Sequence, residues 1–424
     1  MRPATWSARS GGERSPPRRR SLADLSGPGY ISPAGADAWR RMARPDDYTV
    51  GVEEEYQLLD AATGELRSRA RWVIAGDWAD ELHPEMQQHT VEVQTRVCRG
   101  TECLRDDLAR LRFQASVAAG AEGLRIASAG THPFAAELGH AFTDEPAYRR
   151  IRREYRHLAE TQGIYGMHVH VGVPRGRDRV KAMNVARLHL PLLLALTASS
   201  PFFQGTDTGY ASYRTLVWRR WPRSGPPPRM ADEAEMRGLV QWLTETGSID
   251  APGRIYWELR PHHVYPTLEL RVADATPRLE DAVAAAALAR AIVAGAVEGV
   301  LREPDAPPVT VSAMLAENGW RVSRDALGAT LIDLDAPEPR TIPLRDALLR
   351  LADRVGPLAA ELGDGDLGGM LDGVLRRGGA AERIREAARE AGQDWARLAL
   401  WIADETVLGA GMDRRAEQRA EENP

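Results

Sequence analysis

The chain has 424 residues, of which 43% are apolar and 27% charged, with a formal net charge of −5 at pH 7. This balance is typical of a globular protein, and the lack of a basic excess argues against a nucleic-acid-binding protein. No segment approaches the ~20 consecutive apolar residues that a membrane helix needs. The single lysine, Lys181, stands between Val180 and Ala182. Because a P-loop requires Gly-Lys-Ser/Thr, a P-loop nucleotide site is excluded.

The chain contains two cysteines, Cys98 and Cys103. They are too few for a disulfide scaffold or a four-cysteine zinc module, and such a low count fits a reducing compartment. We therefore interpret them as two ordinary thiols. We expect a cytoplasmic protein with neither a membrane nor a nucleic acid as partner.

Composition divides the chain into three parts. Residues 1–44 are rich in Arg, Ser, Gly and Pro and lack apolar periodicity, so we predict a disordered tail. Met42 offers an alternative start within this tail. We predict that residues 45–412 form a single catalytic domain with a helical C-terminal part, followed by a charged tail at 413–424.

Helices and strands are interspersed without a regular rhythm. In chain order, the apolar periodicity predicts a strand at 48–59, a turn at 61–64, an extended stretch at 81–97, a helix from Thr101, a strand at 124–129, a helix at 144–162, a strand at 164–173, a helix at 179–199 interrupted at Pro191, a helix at 232–246, paired strands at 254–260 and 267–273, a buried helix at 279–301, a strand at 329–334 and further helices. The strands alternate polar and apolar residues, unlike the continuous apolar strands of a parallel sheet. We therefore predict an α+β fold: a mostly antiparallel sheet with helices packed on one face and an open, polar second face.

The first strand carries three consecutive glutamates. Alternate residues of a strand share a face, so Glu53 and Glu55 project together while Glu54 points the other way. Two carboxylates about 7 Å apart on one face repel each other unless a cation lies between them.

The second and third strands repeat this design. Glu92 lies on the polar face of 89–95, and Glu85 stands just upstream. His168 and His170 share one face of 165–173, and the glycines of this strand suggest that another group approaches the backbone closely.

The fourth strand places Glu269 and Arg271 opposite the apolar residues Leu268 and Leu270. A single acidic residue on a strand face is usually just solvated, but here four strands show the same pattern. Five carboxylates and a histidine on one face would repel strongly without hard cations such as Mg²⁺ or Mn²⁺, whereas zinc prefers more nitrogen or sulfur ligands. Such ions facing arginines indicate triphosphate chemistry without a P-loop.

Five motifs, in order over about residues 48–410, resemble the bacterial glutamate–cysteine ligase type 2 family, the YbdK-like carboxylate–amine ligases of the glutamine-synthetase-like superfamily. They are Val50-Gly51-Val52-Glu53-Glu54-Glu55-Tyr56, Gly130-Thr131-His132-Pro133-Phe134, Gly166-Met167-His168-Val169-His170-Val171-Gly172, Ser200-Pro201-Phe202-Phe203 and Thr267-Leu268-Glu269-Leu270-Arg271. The resemblance implies an antiparallel sheet that forms a funnel, with ATP at one end and Mg²⁺ on the sheet.

The resemblance also implies roles for individual residues. It implies that Arg271 faces the phosphates and acts in catalysis with Glu53 and Glu269, and that Arg214 and Arg260 are further contacts of nucleotide or substrate. The implied metal ligands are Glu53, Glu55, Glu85, Glu92, His168 and Glu269.

The implied reaction joins two small molecules. ATP would phosphorylate the γ-carboxylate of glutamate, and an amine, such as cysteine, would attack the acyl phosphate to give γ-glutamylcysteine, ADP and phosphate. The physiological acceptor amine and a homo-oligomeric state remain open.

Two alternatives remain at this point. His168-Val169-His170 is similar to the His-x-His of metal-dependent amidohydrolase barrels, and a non-catalytic nucleotide-binding protein could share the scaffold. We interpret Trp218 and Trp221 as a packed loop rather than a nucleotide groove.

Overall fold

The structure of the protein is a computed structural model that describes residues 48–76, 81–136 and 138–410. The predicted tails at 1–44 and 413–424, including Met42, lie outside the described residues. The described helices and strands, from Val50 to Val407, therefore fall within the segment 45–412.

Strands and helices follow one another irregularly, as expected. The strands are β1 (Val50–Asp60), β2 (Leu82–Pro84), β3 (Thr90–Gln94), β4 (Leu124–Ala127), β5 (Gly166–Gly172), β6 (Phe202–Phe203), β7 (Thr206–Asp207), β8 (Ser224–Gly225), β9 (Tyr256–Trp257), β10 (Leu259–Pro261), β11 (Thr267–Asp274), β12 (Thr330–Ile332) and β13 (Thr341–Pro343). The α-helices are α1 (Ala70–Val73), α2 (Thr101–Ala121), α3 (Pro146–Tyr155), α4 (His157–Glu160), α5 (Arg179–Ala186), α6 (Leu190–Thr197), α7 (Tyr213–Trp218), α8 (Glu233–Glu245), α9 (Leu279–Val297), α10 (Pro308–Asp325), α11 (Leu344–Glu361), α12 (Leu367–Arg377), α13 (Ala380–Glu390) and α14 (Trp395–Val407).

One sheet organises the molecule. Its strand order is β10-β11-β5-β1-β3-β2, and β4 pairs with the C-terminal part of β1. Every neighbouring pair in this sheet is antiparallel. The predicted α+β fold with a mostly antiparallel sheet is therefore confirmed.

The main hydrophobic core lies on one face of this sheet. Val52 of β1, Val169 of β5 and Leu270 of β11 belong to one buried cluster with residues of α6, α9 and α11. Burying a side chain of this size stabilises the fold by about 1.5–3 kcal/mol. The apolar residues of each alternating strand thus hold the sheet against the helices and turn the polar residues to the opposite face.

Two predicted helices are divided in the structure. The segment 144–162 forms α3 and α4, which are separated at Arg156, where φ is +52°. The segment 179–199 is interrupted by a 3-10 turn at Arg187–His189, not at Pro191. Pro191 lies in the first turn of α6, where the missing N–H would have no helical partner in any case.

The predicted strand at 254–260 is also divided. It consists of a 3-10 turn at Pro252–Arg254 followed by β9 and β10. β9 pairs in parallel with β8, whereas β10 pairs with β11 as predicted. The Arg/Pro-rich loop at 222–229 thus supplies a strand partner that local periodicity did not indicate.

The interpretation of the cysteines as two free thiols is wrong for this structure. Cys98 and Cys103 form a disulfide with their Cα atoms 5.6 Å apart, a normal separation for such a bond. Cys103 lies in the first turn of α2, which folds the chain back towards Cys98.

Among the residues that the structure describes, none of the helices has the length and apolar content that a membrane span requires.

Candidate active site

The alternation of β1 separates its three consecutive glutamates. Glu53 and Glu55 line a pocket on the sheet face opposite the helical core. Glu54 points to the helical side, where its carboxylate and the guanidinium of Arg112 form an ion pair without solvent exposure. The predicted opposite orientation of these neighbours is confirmed.

Two histidines of β5 hold the carboxylate of Glu53. His168 Nδ1 lies 3.0 Å from Glu53 Oε2, and His170 Nε2 lies 3.2 Å from Oε1. All three side chains are buried. Burial by itself would raise the pKa of Glu53, but the contacts with His170 and His168 outweigh it and hold the pKa below its usual range. Glu53 is therefore an ionised, pre-oriented carboxylate.

Metal-ligating atoms gather in two overlapping groups. Glu53, Glu92 and His168 each place one such atom within 4.8 Å of the others, and so do Glu55, Glu85 and Glu92. Glu92 belongs to both groups because the strand register sets it opposite Glu55, with Glu53 two residues away on the same face of β1. Glu85 enters the second group from the turn after β2.

Burial and mutual repulsion raise the pKa values of two carboxyl groups in this cluster. Burial raises the pKa of Glu85 to about 8, and the charge of Glu55 adds to the rise. The pKa of Glu92 lies well above its usual range because the group is buried beside Glu53 and Glu85. Positive charge from the protein therefore compensates these two carboxyl groups only in part, and they keep their protons to a higher pH than usual.

The donor set fits a hard divalent cation. Carboxylate oxygens with a single imidazole suit Mg²⁺ or Mn²⁺, whereas zinc sites use more nitrogen or sulfur. A cation would also offset the burial and the repulsion that raise the pKa of Glu85 and Glu92. Of the six predicted ligands, the structure brings five together in these two groups, and Glu269 lies outside both.

Glu269 lies between two arginines. Arg260 donates Nε–H to Oε2 at 2.8 Å and Nη2–H to Oε1 at 3.0 Å, and Arg271 also donates to Oε1. Burial would raise the pKa of Glu269, but the two arginines hold it well below its usual range. Arg260 Nη1 donates to the carbonyls of Gly253 and Ile255 at 2.8 and 2.6 Å. In this structure Glu269 therefore orients Arg271, and a direct role of Glu269 on metal or of Arg260 on phosphate stays a prediction.

Two arginines face the acidic groups with unused donors. Arg214 and Arg271 line the same pocket as Glu53, Glu55, Glu85 and Glu92. Among the described residues, the buried Nε atoms of both arginines have no hydrogen-bond partner. Because leaving a buried donor unpaired costs about 1–3 kcal/mol, these arginines favour a ligand that brings acceptor oxygens.

An aspartate that sequence reasoning missed supports Arg214. Asp274 Oδ2 accepts hydrogen bonds from the backbone N–H of Ser199 at 3.0 Å and the hydroxyl of Ser200 at 2.7 Å, and Oδ1 accepts one from Ser212 at 2.8 Å. Arg214 Nη1 lies 3.8 Å from Asp274 Oδ1. The Ser200-Pro201-Phe202-Phe203 motif is the one sequence feature that could have indicated this aspartate, because its Ser200 hydrogen-bonds the Asp274 carboxylate.

The predicted close approach to the glycines of β5 is confirmed. A Cβ at Gly166 would lie 2.4 Å from Arg214 Nη2, and one at Gly172 would lie 2.9 Å from Thr49 Oγ1. Gly166 also donates its N–H to Glu55 Oε2 at 2.6 Å. A side chain at this position would displace the arginine that faces the acidic cluster.

Aromatic side chains line part of the pocket on the acidic face. Tyr148, Trp218, Trp221 and Tyr256 are buried, and all four line the pocket. Trp218 and Trp221 pack together, with stacked rings 5.9 Å apart, but Trp218 ends helix α7 and both residues line the candidate site, which the interpretation as a packed loop did not include. Trp221 Nε1 and Gln162 Oε1 are buried and have no partner among the described residues, which sequence reasoning did not detect.

The arrangement of sheet and helices resembles that of solved ligases. A glutamate–cysteine ligase from Francisella tularensis, solved in complex with AMP, superposes with a TM-score of 0.59 at 13% sequence identity over 89% of this chain and 95% of the other. A bifunctional glutathione synthetase from Pasteurella multocida gives a TM-score of 0.60 at 16% identity over 86% of this chain and 52% of the other. The fold is therefore of the glutamate–cysteine ligase class.

Sequence relatives define the family. Residues 49–400 match the family described as glutamate-cysteine ligase family 2. Two relatives carry the name "Putative glutamate--cysteine ligase 2". The one from Herpetosiphon aurantiacus is 35% identical over 370 residues, covering 87% of this chain and 95% of the relative. The one from Roseiflexus castenholzii is 38% identical over 357 residues, covering 82% and 92%. The chain belongs to glutamate-cysteine ligase family 2, a family of carboxylate–amine ligases, and the resemblance seen in its motifs is confirmed.

Proposed function

We propose that the protein is an ATP-dependent ligase that forms an amide through an acyl phosphate. ATP phosphorylates the γ-carboxylate of glutamate, and an amine then attacks the acyl carbon and displaces phosphate. With cysteine as the amine, the products are γ-glutamylcysteine, ADP and phosphate.

One observation carries this proposal. Two clusters of metal-ligating side chains, which have Glu92 in common, line the same pocket as Arg214 and Arg271. Phosphoryl transfer requires neutralisation of a triphosphate, which divalent cations and arginines provide. The Francisella tularensis ligase of the same fold binds AMP, which supports a nucleotide as substrate here. The absence of a P-loop fits this cation- and arginine-based solution.

Divalent cations held by the five gathered ligands, Glu53, Glu55, Glu85, Glu92 and His168, would neutralise phosphate oxygens and the charge that develops during transfer. Contacts within the protein hold the side chains of this site in fixed orientations. His168 and His170 fix Glu53, and Glu269 fixes Arg271. This reaction needs no protein nucleophile, so catalysis rests on positioning and electrostatic stabilisation.

The arginines act on the anionic part of the substrates. We assign Arg271 and Arg214 to phosphate or carboxylate oxygens, because their Nε–H groups are buried and unpaired among the described residues. Arg260 is engaged with Glu269 and two backbone carbonyls. It therefore positions Glu269 and, through Glu269, Arg271. Trp221 and Gln162, which line the same pocket, offer one donor and one acceptor to an uncharged part of a substrate.

ADP release with Mg-ATP, glutamate and a panel of amino acids and amines tests the proposal. We expect ADP formation that depends on glutamate, on Mg²⁺ and on at least one amine, and that is lost in Glu53→Gln. Nucleotide binding without ADP release across the whole panel would instead support the non-catalytic alternative.

The amidohydrolase alternative is excluded by the fold, because its barrel of alternating βα units differs from the antiparallel sheet seen here.

A further inference from the structure

A second cavity lies in the helical part of the molecule. It is formed by residues at the start of α6, the β12–β13 hairpin and α11, and it shares no lining residue with the acidic pocket. Its volume, counted as space for the centre of a water molecule, is about 70 Å³. Since one water needs roughly 10–15 Å³ by this measure, the cavity has room for a small molecule.

The floor of this cavity is aliphatic. It consists of Leu188, Leu192, Leu331, Ile342 and Leu351, all of which are buried. A floor of branched side chains favours an apolar body and disfavours a sugar or a polar cofactor, whose hydroxyl groups would lose their hydrogen bonds to water.

The rim of the cavity carries an excess of positive charge. Arg350 is paired with Asp333 at 3.1 Å, and Arg354 with Asp335 at 2.9 Å. Arg302 also lines the cavity, but its only hydrogen bond goes to a backbone carbonyl at 3.3 Å, and no acidic residue among those described forms an ion pair with it. The rim therefore has one cation without a carboxylate partner.

A histidine at the same rim has unused hydrogen-bonding capacity. The ring of His189 lies in the cavity wall, where the charges of Asp335 and Arg354 act on it, and none of the hydrogen bonds found among the described residues involves this ring. Burial lowers the pKa of His189 to about 4, so the ring is neutral at pH 7 and offers one donor and one acceptor.

We propose that this cavity is a second ligand site, separate from the active site, for a small aliphatic carboxylate. The hydrocarbon chain lies on the leucine and isoleucine floor, and the carboxylate accepts hydrogen bonds from Arg302 and His189. The carboxylate could belong to a free branched-chain acid or to an amino acid with an apolar side chain, which share these two features. A dry packing void would have a fully apolar wall, unlike this charged rim.

Calorimetric titration of the full chain with three probes tests the site: 4-methylpentanoate, leucine and the uncharged 4-methylpentanamide. We expect saturable binding of at least one carboxylate and binding of the amide that is at least about tenfold weaker, because a charge-assisted hydrogen bond is lost. Tighter binding of leucine identifies an amino acid as occupant, and tighter binding of 4-methylpentanoate identifies a free acid. Equal affinity for the amide, or no saturable binding of any probe, would overturn the proposal.

Variants locate the binding within the molecule. Arg302→Gln changes an exposed residue, so the fold is retained, and it should weaken the carboxylate about tenfold. Ala347→Leu adds bulk to the cavity wall and should abolish binding. Arg389→Gln, which removes an exposed arginine elsewhere, and Glu53→Gln, in the acidic pocket, should bind as the unmodified chain does. Loss of binding in Glu53→Gln with full binding in Arg302→Gln would assign the probes to the active site and refute a second site.

Discussion

Glu54 of β1 and Arg112 of α2 form an ion pair between the sheet and the helices, and neither side chain is exposed to solvent. The hydroxyl of Tyr56 donates to the same carboxylate at 2.5 Å. Arg112 also donates to the carbonyls of Thr276 and Pro277, just before α9. A structural carboxylate thus stands next to Glu53, which faces the candidate active site.

The first prediction compares these neighbours. Glu53→Gln should lower turnover on the order of 10²–10³-fold and weaken metal binding, because it removes a charge from the cation site. Glu54→Gln should lower the free energy of unfolding by about 3–5 kcal/mol, because it leaves Arg112 charged and buried, while folded molecules keep most of their turnover. Chemical denaturation, bound metal and ADP release measure the three quantities.

Glu55→Gln is the control for this comparison. The side chains of Glu55 and Glu53 lie on the same face of β1, so the two variants should behave alike. Equal loss of activity and metal in all three variants would contradict the alternation of β1. No loss in Glu53→Gln or Glu55→Gln would remove the basis of the cation site.

The second prediction concerns metal and pH. The pKa of Glu85 rises from 4.5 to about 8 on folding, so its contribution to stability is present below pH 4.5 and is lost as pH rises through 8. After chelation with EDTA, the melting temperature should therefore fall between pH 6.5 and 8.5. Added Mg²⁺ should raise it, and more strongly at pH 8.5, where the cation displaces fewer protons. Differential scanning calorimetry measures both effects.

Glu85→Gln is the matched variant for this experiment. It should be less sensitive to pH over this range after chelation and should gain less from Mg²⁺. A melting temperature that does not respond to Mg²⁺ at either pH would show that the acidic cluster binds no divalent cation.

The third prediction assigns a positioning role to His170, which contacts Glu53 Oε1. His170→Leu should weaken Mn²⁺ binding by about 10–100-fold, a usual effect of losing a residue that orients a ligand, and His170→Gln should restore part of it. Electron paramagnetic resonance of free Mn²⁺ gives the affinity. His132→Gln is the control, because His132 is buried but bonds the carbonyl of Gly64 outside the pocket. Similar Mn²⁺ affinity in His170→Leu and the unmodified chain would disprove the role.

The fourth prediction tests the close approach at Gly166. Gly166→Ala places a methyl group against Arg214, so it should reduce ADP formation at least about tenfold, since even a small displacement of a positioning group is costly. Gly120→Ala in α2 is the control, because a Cβ there meets no atom within 4 Å, and it should stabilise the helix by about 1 kcal/mol. Undiminished ADP formation in Gly166→Ala would show that the reaction does not need Arg214 in its position against Gly166.

Much of the candidate site was predictable from the sequence because strands have a fixed period of two. Alternation alone separated Glu53 and Glu55 from Glu54, and it placed His168 on the polar face of its strand. The same periodicity predicted the apolar layer beneath the sheet. Boundaries were less predictable, as at Pro191, because a proline is compatible with the first turn of a helix.

The sequence by itself determined which residues share a face within each strand, such as Glu53 with Glu55 and His168 with His170, because that depends on local backbone geometry. Only the tertiary structure decided that Glu92 links two ligand groups, that Glu269 lies between two arginines, and that Asp274 is held by serines far away in the chain. It also decided that Trp221 and Gln162 line the same pocket as the acidic residues. These contacts join distant segments, and their geometry depends on how the sheet, α7 and the covering loops pack together, which no local pattern of residues specifies.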